Sequence, residues 1–406
     1  MQYFIVRYPE ARDVYLDGQV TGKTNCVIEI EPGRHTVHLG GVLDYQPAQQ
    51  VVDIQATSAV NPYTVEFAPK IEKGAYVEVS VKQGDVLTEF SCDVLVVKYA
   101  QALYGVDGAV VTRLAAGGFD IRNQLPEKDR AFLTSSHGTI KPPLVLFVGV
   151  DQLSDFRYRQ IREFSTKALS VLARDAPETK SILLTLHGTG YGLDEAEAMA
   201  SEVAGFVDAV NDGEYPQNLE NIIIAEHSQG RVNRLKPVIS KLLPDSCIPI
   251  PGRPASIKFE TASKERLKTA GYESERRPHI FVAMPFSDDM DDIFHYGIQA
   301  PVNDAGFLCE RADLAAFTGD VMSWVKERIT KAALVVADLS GANPNVYLEV
   351  GYAWGCNRPT VLLVRNTSEL VFDVKGQRCI VYRKIRDLEE ALKKELHILK
   401  DERPHD

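Results

Sequence analysis

Apolar and polar positions alternate in short runs over residues 1–70, cut by turn signals at Asp17-Gly18, Thr21-Gly22, Pro32-Gly33 and Gly40-Gly41. Val, Ile, Tyr and Thr are dense between the cuts, so the segment reads as a small all-β sandwich. From 75 to 242 the pattern changes. Strand-like apolar runs at 77–81, 94–97, 144–150, 182–186 and 221–226 are separated by stretches with helical apolar spacing, such as Ala198, Val203, Phe206 and Val210. That alternation predicts βαβ units and a mainly parallel sheet covered on both faces. Residues 243–278 lose the periodicity and carry Pro244, Pro249, Pro251, Pro254 and Pro278, so they read as a stiff linker. Beyond them, strand-like runs at 279–286, 307–312, 333–339, 360–366 and 378–383 alternate with helical stretches, which gives a second α/β domain over 279–400 of doubly wound, parallel type. The expected fold is therefore multidomain, a small all-β sandwich followed by two α/β domains.

Charge narrows the class of partner. The 406 residues hold 45 Lys+Arg against 56 Asp+Glu, a net charge of −11, and such a field repels nucleic acid and anionic membrane surfaces. The six cysteines lie far apart with no CxxC pair, which predicts no disulfide framework, no metal site and a reducing, cytoplasmic location. The opening run is broken by Arg7, Glu10 and Arg12, and no stretch approaches the roughly 20 apolar residues of a membrane span, so neither export nor a membrane partner is expected.

The richest stretch for chemistry is 335–364. An apolar strand ends in Asp338, Ser340-Gly341 turns the chain, Asn343 can cap a helix and Pro344 suits its first position. A helix that begins at the carboxyl end of a parallel strand starts at the ligand crevice of such sheets. Its Glu349 lies among Leu348, Val350, Tyr352, Ala353 and Trp354, so the carboxylate is either buried or faces a cleft. Gly351 and Gly355 weaken a helix interior and suggest close packing there. The acidic run Asp288, Asp289, Asp291, Asp292 reads as a charged helix N-terminus and not as a calcium loop. In the middle domain, the glycine-bearing stretches 103–118 and 186–200 could let backbone N–H groups approach a diphosphate.

Three family resemblances follow from these residues. Residues 1–70, with the turn Pro32-Gly33-Arg34-His35, resemble the PEGA-type β module; His35 reads as a structural residue within its strand. GDVLTEFSCDVLVV at 84–97, GVDGAVVTRLAAGG at 105–118 and the Gly188–Gly192 loop resemble the macrodomain, a family that binds ADP-ribose and related adenine nucleotides. That resemblance implies a regulatory nucleotide site in which Asp85 with Val86 meets the adenine, Gly105, Val106 and Asp107 flank the ribose, and Gly188, Thr189, Gly190 and Tyr191 hold the phosphates. It departs from the hydrolytic members at Lys98-Tyr99-Ala100, where they carry an asparagine-rich stretch, so sensing is expected of this domain and not hydrolysis. His187 and His227 beside these loops read as local hydrogen-bonding residues.

DLSGANPNVYLEVGYA at 338–353, with FVAMPF at 281–286 and CERAD at 309–313, resembles the nucleoside 2-deoxyribosyltransferase-like branch of the TIR-related superfamily. Its members cleave N-glycosidic bonds of nucleosides or of NAD. The resemblance implies Glu349 as nucleophile or ribose-binding carboxylate; Asp338, at the end of the strand below, could hold ribose hydroxyls or protonate the leaving base as the second catalytic residue. Met284, Pro285 and Phe286 would line the base side, Arg311 and Asp313 would reach phosphate or ribose, and Asn345 joins the substrate-binding set. The expectation is a nucleotide-regulated N-glycosidase of the kind found in bacterial antiphage systems, forming homo-oligomers and needing no cofactor, with NAD entering only as a substrate. A salvage deoxyribosyltransferase and a non-catalytic nucleotide receptor are the alternatives.

Overall fold

A computed structural model describes residues 1–401 apart from 42, 44, 70–74, 104, 154, 254–259, 312–320, 371–373, 375, 376 and 378. The chain divides into two compact units, 1–77 with 247–259, and 78–246 with 260–406. Among the described residues no helix is long and apolar enough to cross a membrane.

The N-terminal strands are β1 (Gln2–Arg7), β2 (Asp13–Leu16), β3 (Gln19–Lys23), β4 (Val27–Ile30), β5 (Gly33–Leu39), β6 (Tyr45–Gln46), β7 (Gln50–Ile54), β8 (Tyr63–Glu66) and β9 (Ala68–Pro69). They form sheets of order β4-β1-β8 and β3-β2-β5-β7, with β6 and β9 paired separately. Alternation works here as the sequence suggests, because Phe4 and Val6 of the first sheet and Val37, Leu39, Val52 and Ile54 of the second bury into one apolar core. His35 is held by its own turn: Nδ1 lies 2.7 Å from the Asp17 carboxylate and Nε2 3.0 Å from the Glu31 carbonyl.

The middle sheet runs β12 (Ala131–Ser135), β13 (Leu144–Gly149), β11 (Val94–Tyr99), β14 (Ser181–Thr185), β15 (Asn221–Glu226), β10 (Tyr76–Gln83), β16 (Cys247–Pro249). Pairing from β13 through β10 is parallel, and β12 is antiparallel to β13. The strands are apolar on both faces because α1 (Val106–Ala116) covers one side while α2 (Tyr158–Asp175), α3 (Glu195–Asn211) and α4 (Gln229–Leu242) pack beside them.

Within residues 243–278, read from their prolines as a linker, lie β16 and α5 (Thr261–Thr269). Helix α5 is fixed from afar. Arg162 on α2 is buried, grips Asp208 through two N–H···O bonds of 2.6 and 2.8 Å, and donates Nη1 to the carbonyls of Leu267, Lys268 and Ala270 at the end of α5.

The C-terminal sheet has order β18 (Leu308–Glu310), β17 (His279–Ala283), β19 (Leu334–Asp338), β20 (Thr360–Val364), β21 (Cys379–Val381), all parallel. Separate apolar cores fill its two faces. One is closed by α6 (Asp288–Asp292), a π-helical turn Ile293–Gln299, α7 (Ala300–Asp304) and α10 (Ile385–Asp401), and the other by α8 (Val321–Lys331) and α9 (Pro344–Gly355). The close packing expected at Gly351 and Gly355 is not found. A Cβ at either would meet open space, since both lie on the outward side of α9.

Candidate functional site

Strand order reverses between β17 and β19, and the chain leaves both strands at their carboxyl ends, the position where open α/β sheets build a crevice. A cleft of about 520 Å³ opens there, walled by Pro285 and Ser287 after β17, Ser340 to Pro344 after β19, and Arg365 with Glu369 after β20. Its walls are locally determined. Gly341 takes a positive φ of 74°, its N–H donates to the Glu369 carboxylate at 2.8 Å, and Asn343 Oδ1 accepts from the Asn345 N–H at 2.9 Å to cap α9. The Arg365 guanidinium donates to the Asp289 carboxylate at 3.0 Å and to the Asp289 carbonyl at 3.1 Å, so the acidic run supplies one wall with its counter-charge.

The sequence-derived residues spread over three environments. Pro285 lines the cleft, Met284 is buried beneath it, and Asn345 is exposed on the first turn of α9. Asp338 is wholly buried and both oxygens are engaged: Oδ1 accepts from the Ser340 N–H at 2.9 Å and Oδ2 from the Tyr382 hydroxyl at 2.6 Å. Burial and that carboxylate push the Tyr382 hydroxyl up, which keeps it a donor. Glu349 faces the sheet beside Val346, Val350 and Ala353, is 8% exposed, and makes no hydrogen bond or ion pair among the described residues. Burial alone lifts its carboxyl from the ordinary 4.5 to about 7. It lies deeper along α9 than the residues that wall the described cleft. Asp313 lies outside the described residues.

Phe286 and Arg311 face a second cleft, about 450 Å³, between the glycine loop of the middle sheet and the C-terminal sheet. The Arg311 guanidinium sits 4.5 Å from the Phe286 ring centre and 4.0 Å from that of Phe294. This cleft exists because the two sheets are tied together. The Arg311 N–H donates to the Gly192 carbonyl at 3.0 Å, and Asp194 accepts from the Glu197 N–H on its own helix and the Cys309 N–H on β18, both at 2.9 Å. Tyr158 donates to the buried Glu310 carboxylate at 3.0 Å and accepts from the Asp194 N–H at 2.8 Å. Gly192 has φ 86°, and a Cβ there would meet the Arg311 carbonyl oxygen at 2.5 Å.

The middle sheet carries a third cavity, about 240 Å³, at the carboxyl ends of β11, β14 and β15. It brings together Val86, Gly105, Val106, Asp107, Gly188, Thr189 and Gly190, seven of the residues expected to meet a nucleotide. Asp85 stands outside this lining and turns the chain by accepting the Leu87 N–H at 2.6 Å. Tyr191 closes the short turn Thr189–Tyr191, and its side chain lies outside the described part.

Its lining also includes the polar side chains of Lys98, His187, Glu226, His227 and Arg231. The resemblance marks Lys98 only as a departure, and Arg231 sits on a helix whose sequence carries no motif. Arg231 bridges Glu226 at 3.3 Å and Glu195 at 2.8 Å. Lys98 is 8% exposed, and burial, opposed by the nearby Asp107 carboxylate, lowers its ammonium to about 8. His187 Nδ1 is 3.0 Å from the buried Glu202 carboxylate, a local hydrogen bond of the kind expected from the sequence.

Residues 2–66 match the PEGA domain family. No curated protein matches the chain in sequence. Among solved structures the chain is similar to a macrodomain of Oceanobacillus iheyensis with MES bound, at 18% identity over 40% of this chain and 90% of that one, with a TM-score of 0.32. A point mutant of that macrodomain with ADPR gives 18% identity, coverage of 40% and 91%, and a TM-score of 0.32. The CMP N-glycosidase of Clostridium botulinum gives 17% identity over 28% of this chain and 98% of that one, with a TM-score of 0.24. These likenesses are weak.

Proposed function

We propose that the C-terminal domain cleaves an N-glycosidic bond of NAD or another nucleotide, and that the cavity of the middle sheet holds an adenine nucleotide of ADP-ribose type that regulates it. The observation that carries this reading is Glu349, a buried carboxyl without a partner among the described residues, on the helix that starts at the crevice and poised to ionise near pH 7. Breaking the bond between an anomeric carbon and a base nitrogen leaves positive charge on the ribose. An ionised carboxylate against that carbon stabilises the charge or forms a glycosyl ester as the C–N bond breaks, and water then hydrolyses the ester. A nicotinamide leaves NAD as a neutral base and needs no proton, whereas another base would take its proton from water, since the ionised Glu349 has none to give.

The test is base release from NAD, nucleotides and deoxynucleosides, with and without ADP-ribose, followed by chromatography for the unmodified chain and Glu349→Gln. Base release that is lost in the variant, with folding retained, is the expected result; release that survives it overturns the assignment. One observation favours a second reading. Asp338 has both oxygens committed to Ser340 and Tyr382, which leaves the catalytic pair with one member. Nucleotide binding with no turnover in any condition would make the chain a receptor.

A further inference from the structure

The 450 Å³ cleft between the middle and C-terminal sheets carries polar chemistry that the function proposed above does not use. Glu195, the first residue of α3, is buried there, and its Oε1 lies 2.8 Å from the Arg231 Nε without accepting a hydrogen bond from it or from any other described residue. A buried carboxylate oxygen with an open lone pair is unfavourable until something donates to it. Arg234, one turn further along α4, gives its Nε to Glu195 Oε2 at 3.2 Å, and its two terminal nitrogens donate to no described residue. Across the cleft, His295 has its Nδ1 tied to Gln299 at 2.8 Å, and Arg311 stands 3.6 Å from Asp291. Ser228, which caps α4, brings the positive end of that 14-residue helix into the same space. Glu195, Arg234 and His295 line neither the middle cavity nor the crevice of the C-terminal sheet, so the cleft has binding groups of its own.

We propose that this cleft binds a phosphorylated sugar, with a sugar hydroxyl donating to Glu195 Oε1 and the phosphate accepting from the terminal N–H groups of Arg234. Neither half of such a ligand suits the cleft alone. A bare anion is drawn to the guanidinium and repelled by the carboxylate beside it, whereas a neutral polyol serves the carboxylate and leaves the guanidinium open. A sugar phosphate carries hydroxyl donors and an anionic acceptor in one small molecule, so it answers both groups through charge-assisted hydrogen bonds. The same chemistry is offered by a free sugar phosphate and by the ribose phosphate of a nucleotide. The site stands whether or not Glu349 is catalytic, since it shares no residue with the assignment of that carboxylate.

The test is calorimetric titration of the full chain with ribose 5-phosphate, glucose 6-phosphate and AMP, and with ribose and sulfate as the two halves, paired with phenylglyoxal modification of arginines mapped by peptide mass spectrometry. The expected result is that at least one of the three phosphates binds about tenfold or more tightly than either half, shields Arg234 from phenylglyoxal, and loses about tenfold or more in affinity in Arg234→Gln. Glu195→Gln is expected to bind sulfate more tightly than the unmodified chain does, because the repelling charge is gone. Binding confined to AMP names a nucleotide as the source, and binding of either sugar phosphate names the free ester. Shielding of Arg234 is read in the unmodified chain, so the result survives misfolding of a variant. Failure of all three phosphates to bind, binding that leaves Arg234 fully reactive, or sulfate binding as tightly as the esters overturns the site.

Discussion

Burial lifts the Glu349 carboxyl from 4.5 to about 7, so the folded chain keeps a proton that the unfolded chain releases between those values. Stability is therefore intact below pH 4.5, falls as pH rises through the window, and levels off above about 7, with a full loss on the order of 3 kcal/mol. Glu349→Gln removes the titration. The variant is expected to unfold at higher urea than the unmodified chain at pH 8 and at similar urea at pH 4; an equal difference at both values would refute the buried-acid account. Asp338 is the opposite case, a carboxylate satisfied on both sides. Tyr382→Phe should lower stability by about 1–3 kcal/mol by stranding one oxygen, and combined with Asp338→Asn it should cost less than the sum of the single changes. Denaturant unfolding of the two single variants and the double variant measures that coupling.

At the level of elements, strands were legible wherever burial on both faces forces a continuous apolar run, as in Val94–Tyr99 and Leu334–Asp338. The cleft was legible through its punctuation, since Ser340-Gly341 and Asn343-Pro344 turn and cap locally. Residues 243–278 were not, because what orders α5 is Arg162, about a hundred positions earlier in the chain, and prolines in a composition count say nothing of a distant guanidinium. Lys98 and Arg231 escaped for a related reason: the cavity gathers the ends of several strands, and only its glycines leave a pattern in sequence. Arg162→Ala is expected to cost about 1–3 kcal/mol by leaving the half-buried Asp208 and the carbonyls at the end of α5 without their donor. Lysine at that position should not rescue it, since an ammonium is a single point with three donors and cannot serve both Asp208 oxygens and the carbonyls at the end of α5. Denaturation midpoints and protease cutting within 261–269 report both effects.

On the scale of the whole molecule, a net charge of −11 discourages contact with polyanions, so the arginines near the clefts work as local, paired charges and not as a broad basic surface. The C-terminal sheet ends in β18, and the two N–H groups on its outer side, those of Cys309 and Arg311, are taken by Asp194 and by the Gly192 carbonyl. A loop that walls a small-molecule cavity on one side thus covers the open edge of a neighbouring sheet on the other. A strand edge stripped of such a cover is a template for pairing with other chains. Residues 260–406 produced on their own are therefore expected to self-associate, and light scattering should fall when the intervening sheet is restored. The glycine loop acts in this sense as a built-in guard against aggregation, and substitutions chosen to probe ligand binding at Gly192 will also read out as changes in solubility.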